Sequence, residues 1–329
     1  MLMQLTALRT FVSDILRQQK YVRACLEPEL QSLEQQWGTS FDAYLRKKMT
    51  RYYGLLTTGV LAESYCRLHA RPLLAPAREI SSALGAMTPI FDDFFDRNLL
   101  TDAEIRQMMA APSGFPARTL EQAAIIHFHE KILRALKAPD SFRERIEKVF
   151  QAQIDSRQQS REDITEEALW KITYDKAGYS LQAYREILDL PDAEGEQEVY
   201  YQLGGILQLC NDTFDIYKDL GEGIMTLPIR FKDFERLKAV YLRETQDWIA
   251  RCRKLSFRQK DIERFIAFML IVICRGLVAL EQLEALEKHK GKGFNLRECN
   301  RKELICDMAK PRSFLRSLVW ASRLRRTTH

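Results

Sequence analysis

Apolar residues recur every three or four positions along almost the whole chain, and the strict alternation of a half-buried strand is absent, so the pattern predicts an all-α fold. Breakers are sparse enough to place the elements. Helices are expected near residues 4–35, 39–70, 76–97, 102–110, 118–136, 140–161, 165–189, 195–220, 231–252, 256–288 and 300–324. Loops are expected at Arg71-Pro72, residues 111–116, Gly221-Glu222-Gly223 and residues 290–293. Two residues break the helical rules locally. Pro89 predicts a kink or a boundary just before Asp92, because it removes one backbone hydrogen bond. Gly178, a poor helix former, predicts a break lining a pocket or an ordinary boundary. No fixed-period repeat and no long linker appears, so residues 1–329 are expected to form a single helical domain.

Composition narrows the class. With only 14 Gly and 10 Pro in 329 residues, turns are few and elements long. At 46% hydrophobic and 29% charged residues, wholesale disorder and a multi-span membrane protein are excluded. The net charge of +5 is uneven: the segment 308–329 carries +6 with no acid, leaving −1 for the rest. Such a basic tail reads as a solvated terminus or as a peripheral contact with anionic lipid; nucleic acid is not an expected partner. The seven cysteines show no zinc spacing and read as reduced core residues of a cytoplasmic protein. No secretory leader is indicated at the start. The longest apolar run, Phe265 to Cys274, is expected to be a buried bundle helix.

The candidate chemistry lies in two acidic segments. In Asp92-Asp93-Phe94-Phe95-Asp96, positions four apart are separated by about 40° around a helix, so Asp92 and Asp96 share a face while Asp93 lies to one side. Like charges at that spacing destabilise a helix by a few tenths of a kcal/mol. Mg2+ would offset this, being held by one or two carboxylates together with substrate phosphates. The plain alternative is a solvated acidic face with an Asp93–Arg97 pair, against which the flanking Phe91, Phe94 and Phe95 favour a cavity wall. In the second segment, residues 211–219, Asn211, Asp215 and Asp219 form one stripe and Asp212, Asp215 and Asp219 another. Either offers hard oxygen donors.

These residues resemble the motifs of class I isoprenoid synthases. DDFFD at 92–96 resembles their first aspartate-rich motif, and NDTFDIYKD at 211–219 resembles the second in its terpene-synthase form. Gln208 stands where trans-prenyltransferases carry Phe-Gln, Thr226-Leu227-Pro228 resembles a later TLP, and Lys176 of Asp175-Lys176-Ala177-Gly178 is similar to a diphosphate-binding lysine. The usual GKRxRP segment is replaced by Leu45-Arg46-Lys47-Lys48-Met49-Thr50-Arg51, which keeps basic residues without Gly or Pro.

The resemblance implies a helical bundle around a central cavity, with Asp92, Asp93, Asp96, Asn211, Asp212, Asp215 and Asp219 catalytic. Among them Asp92, Asp96, Asn211, Asp215 and Asp219 would ligate several Mg2+ ions. Lys176, Arg51, Lys47 and Gln208 would contact the diphosphate. Phe91, Phe95 and Tyr179, with Tyr174, Tyr184 and Phe214 as further candidates, would line a dry pocket that shields a carbocation. The expected activity is that of a Mg-dependent terpene synthase acting on a prenyl diphosphate. Chain-elongating or squalene- and phytoene-type prenyltransferases are the alternative, and a non-catalytic isoprenoid-binding protein the remote one. Assembly as a homodimer is a further expectation.

Overall fold

Local signals set the helix ends. Asp42 accepts from the amides of Tyr44 (2.9 Å) and Leu45 (3.1 Å), Thr101 and Glu104 form a reciprocal capping box, and Gly38 closes a helix in the left-handed conformation. The computed structural model describes residues 2–97, 99–231 and 233–326, apart from the side chains of Leu2, Asp96 and Lys292. The chain is all-α, a bundle of helices with no strand among the described residues. In chain order these are α1 (Leu2–Tyr21), α2 (Glu27–Trp37), α3 (Ala43–Lys47), α4 (Gly54–Leu56), α5 (Glu63–Leu68), α6 (Ala75–Asp96), α7 (Asp102–Ala110) and α8 (Leu120–Ala135). They continue as α9 (Pro139–Ser156), α10 (Glu166–Glu186), α11 (Glu196–Glu222), α12 (Leu227–Phe231), α13 (Phe234–Arg253), α14 (Gln259–Lys290), α15 (Arg301–Leu304) and α16 (Pro311–Arg326). Single π-helical stretches at Val22–Leu26, Lys48–Tyr53 and Thr57–Ala62 join α1 to α2 and α3 to α5 without a break.

The fold departs from the sequence reading at four points. Helix α6 runs through Pro89, so the proline marks no boundary. Helix α10 runs through Gly178, which is neither a break nor an end: a Cβ there would collide with the Tyr201 ring of α11. The helix expected over 300–324 is two helices, because Pro311 disfavours helical backbone at Lys310 and starts α16 afresh. Lastly, the apolar run resumes after Arg275, and α14 as a whole is long and apolar enough to cross a membrane. Most of its apolar stretch, 78%, is nevertheless buried.

The chain divides into two compact units. One comprises residues 9–153 and 182–191, the other residues 1–8, 154–181 and 192–329. In the first, α6 packs on α8 and on the π-helical stretches, burying Ile80, Leu84, Met87 and Ile90. In the second, α14 packs on α11, α13 and α16, and Trp248 of α13 is fully buried with its indole N–H donating to the Val199 carbonyl at 3.2 Å. All seven cysteines are free thiols, buried except for Cys25.

His129 of α8 is fully buried, 6.1 Å from the Phe142 ring, with no hydrogen-bond partner on either ring nitrogen among the described residues. Burial, with a smaller contribution from the Arg143 charge, pushes its pKa down to about 4. Between that value and the unfolded value of about 6.5 the unfolded chain binds the proton and the folded chain does not, so stability present above pH 6.5 is lost as pH falls through about 4. Urea unfolding at neutral and acidic pH should show a loss of order 2–3 kcal/mol from this residue, and His129→Leu should flatten the dependence. An unchanged slope in the variant would contradict the assignment.

Candidate functional site

The first acidic segment ends α6 in the unit of residues 9–153. Asp92 is half-buried and accepts from the Tyr53 hydroxyl at 3.2 Å and the Gln153 amide at 2.6 Å. Asp93 is buried and pairs with Lys48 at 3.2 Å and Arg97 at 3.4 Å. The Asp93–Arg97 pair of the plain reading is therefore present, yet it engages only the acid that lies to one side. Asp96 closes α6, and its side chain lies outside the described residues.

Backbone form explains which basic residue reaches this segment. In an α-helix, residues five apart lie about 140° from one another. The i→i+5 bonding of a π-helix brings such residues onto one face, so Lys48 and Tyr53, which span one π-helical stretch, reach the adjacent acids Asp93 and Asp92. Gly85 of α6 allows the approach, since a Cβ there would lie 3.0 Å from the Tyr53 carbonyl oxygen and closer still to the Thr57 hydroxyl. Lys47 is exposed instead, with its ammonium 5.7 Å above the Tyr52 ring, and Arg51 is also exposed. Among the described residues, no hydrogen bond or ion pair brings either of them to the acidic segment. Lys48 was missed by sequence because only the π-helical phase distinguishes it from its neighbours.

The aromatic residues beside this segment are core. Phe91 and Phe95 are buried with ring centroids 5.1 Å apart, Phe95 is 5.4 Å from Phe150, and Phe94 is almost wholly inaccessible. Tyr184 is buried too and shares a 2.6 Å hydrogen bond with Thr88, one turn before Asp92.

The second segment lies on α11 in the other unit. Asp212 and Asp219 are buried, Asp215 is half-buried, and Asn211 is exposed and donates to Asp215 at 3.2 Å. Burial raises Asp219 to about 8, and the charges of Asp212 and Asp215 push the same way. Burial likewise raises Asp212 to about 7, opposed by a 2.8 Å hydrogen bond from Gln208 and by the charge of Lys176. The acids that feel one another are thus Asp212, Asp215 and Asp219, with Asn211 joined to them through Asp215. Gln208 and Lys176 are brought to the same group.

Glycines let α10 and α11 approach closely enough for this. A Cβ on Gly204 would lie 2.5 Å from the Ala177 carbonyl group and from the Gly178 amide, so backbone meets backbone beside Lys176. Around the contact, Tyr179 and Tyr201 rings are 5.3 Å apart, Tyr201 donates to Asp175, and Tyr174 donates to Glu244 at 2.6 Å. Phe214 packs with Met308 and Trp320 over Val278, Ala279 and Cys306. The exposed guanidinium of Arg275 sits 5.3 Å from the Phe214 ring.

No group of three or more His, Cys, Asp or Glu among the described residues could hold a metal by itself. The donor set nevertheless fits Mg2+ as a companion of substrate: hard carboxylate oxygens, partly withdrawn from water and crowded by like charge, suit an ion that takes one or two protein carboxylates and completes its shell with phosphate and water. A separate cleft of roughly 400 Å³, lined by Glu194, Glu198, Arg251 and Lys254 at the start of α11, contains none of the residues expected from sequence.

No protein-family model matches the chain, and no curated protein is significantly similar to it.

Proposed function

We propose that the protein is a Mg-dependent class I terpene synthase, which breaks the C–O bond of an allylic prenyl diphosphate and directs the carbocation to cyclisation or deprotonation. The observation that carries this reading is the grouping of Asp212, Asp215 and Asp219 with Gln208 and Lys176, since it joins five positions from three separate sequence resemblances to one group of charges. In one unit Asn211, Asp215 and Asp219, and in the other Asp92 with Asp96 by resemblance, would hold Mg2+ ions. The ion, when bound, supplies charge neutralisation at the departing diphosphate.

The chain's own residues do the rest. Tyr53 and Gln153 orient the Asp92 carboxylate by donating to its two oxygens. Lys48 partly neutralises Asp93, which lowers the repulsion between adjacent acids. Lys176 offers a positive charge beside Asp212, and Gln208 fixes that carboxylate by donation. Fixed charges of this kind act most strongly where negative charge develops as the bond breaks.

The test is product identification. With Mg2+ and geranyl, farnesyl or geranylgeranyl diphosphate, mass spectrometry should find a hydrocarbon or terpene alcohol and released diphosphate without isopentenyl diphosphate. A longer prenyl diphosphate formed only when isopentenyl diphosphate is added would assign chain elongation instead. No turnover of any of the three would remove the proposal.

A further inference from the structure

Helix α16 turns one face inward and one outward, and the division is cleaner than its sequence suggests. Ser317, Ala321 and Leu324 are buried, while Arg312, Leu315, Arg316, Val319, Arg323 and Arg326 are exposed. The outward stripe therefore holds four arginines and two aliphatic residues, 59% and 49% exposed for Leu315 and Val319, and α16 contains no acid. Trp320, an obvious interfacial anchor by composition, is instead tied inward, its indole N–H donating to Glu281 of α14 at 3.1 Å.

The acids that α14 presents to this helix are paired. Glu281 meets Arg316 at 2.6 Å, and Glu263 meets Arg325 at 3.6 Å and Arg253 at 2.8 Å. Arg312 and Arg323 make no ion pair among the described residues, and Arg323 lies 5.8 Å from the Trp320 ring. The uncommitted charge thus flanks the exposed aliphatic pair on the outside of the helix.

We infer that the outward face of α16 is a peripheral binding surface for anionic lipid, with the arginines meeting headgroups and Leu315 and Val319 entering the acyl boundary. A helix carrying arginines around a narrow apolar centre binds an anionic interface by these two contributions together. Single-stranded nucleic acid is the poorer match, because its bases need exposed aromatic platforms and this stripe presents aliphatic side chains. The inference stands apart from the catalytic proposal: α16 contributes none of the acidic residues.

The experiment is vesicle flotation of the full chain with phosphatidylcholine, with and without phosphatidylserine, at low and high salt. Binding should require phosphatidylserine and weaken as salt screens the surface. At about five-fold per arginine, Arg312→Gln with Arg323→Gln should weaken it by about 25-fold. Leu315→Ser with Val319→Ser should weaken it at both salt concentrations, with circular dichroism confirming that both double variants remain helical. Absence of vesicle binding, or equal binding by the wild-type chain and both folded variants, would overturn the proposal. So would binding to single-stranded RNA, or self-association abolished by the Leu315 and Val319 changes, in a chain that does not bind vesicles.

Discussion

Asp92→Ala should lower turnover of a prenyl diphosphate by about 10²–10³-fold at saturating substrate, the range seen when one preorganised group facing developing charge is removed. The fold should survive. Asp92 is half-buried at the end of α6, and it takes part in hydrogen bonds from Tyr53 and Gln153 whose loss costs about 1 kcal/mol each, partly offset by relief of repulsion from its acidic neighbours. Asn211→Ala should act in the same direction, since it removes a neutral oxygen donor that also steadies Asp215. Diphosphate release measured beside thermal unfolding separates the two effects. Wild-type turnover in Asp92→Ala at limiting Mg2+ would remove the first segment from the mechanism.

Gly204→Ala should produce the second large effect, through packing. Its methyl group would enter the space of the Ala177 carbonyl and the Gly178 amide, both backbone, so no side chain can swing aside. Over-packing of this kind costs about 1–3 kcal/mol. Separation of α10 from α11 also moves Lys176 away from Asp212, so turnover should fall further than lost stability explains when measured well below the unfolding midpoint. Gly221→Ala is the control, because a Cβ there meets nothing within 4 Å. Equal behaviour of the two variants would show that close approach of the helices is not required.

Much of this architecture was legible because helical periodicity and sparse breakers are properties of the chain itself. The long helices α6, α10, α11, α13 and α14 fall where the apolar pattern puts them, within a few residues. What sequence could not supply was helical phase. A π-helical stretch keeps an apolar repeat while bringing residues five apart onto one side, so the lysine that pairs with Asp93 is Lys48, while Lys47 is exposed over the Tyr52 ring. Gly178 was misread for a related reason: its low helix propensity is outweighed by contact with Tyr201, which is visible only once α10 and α11 are together. The break at Lys310-Pro311, by contrast, was written in the sequence, because a proline restricts the residue before it.

In the second segment, spacing left two stripes open, and burial separated them. Asp212 and Asp219 are withdrawn from solvent, and the charges of Asp212 and Asp215 both bear on Asp219, whereas Asn211 stands at the exposed edge. The aromatic residues near the first segment carried an ambiguous signal. Phe91 and Phe95 are packed against each other, and Phe95 also against Phe150, which gives them a stabilising role whatever else they do.

If both acidic segments serve one diphosphate-ionising reaction, as proposed, losing the second should add little to losing the first, and a double-mutant cycle reads that out. Diphosphate release would be measured for the wild-type chain, Asp92→Ala, Asp215→Ala and the double variant, all with excess Mg2+ and the same prenyl diphosphate. Groups that act as a unit are strongly non-additive, so the account predicts a double variant about as impaired as either single one. A double variant whose loss equals the product of the two single losses, or an Asp215→Ala chain with wild-type turnover, would contradict it.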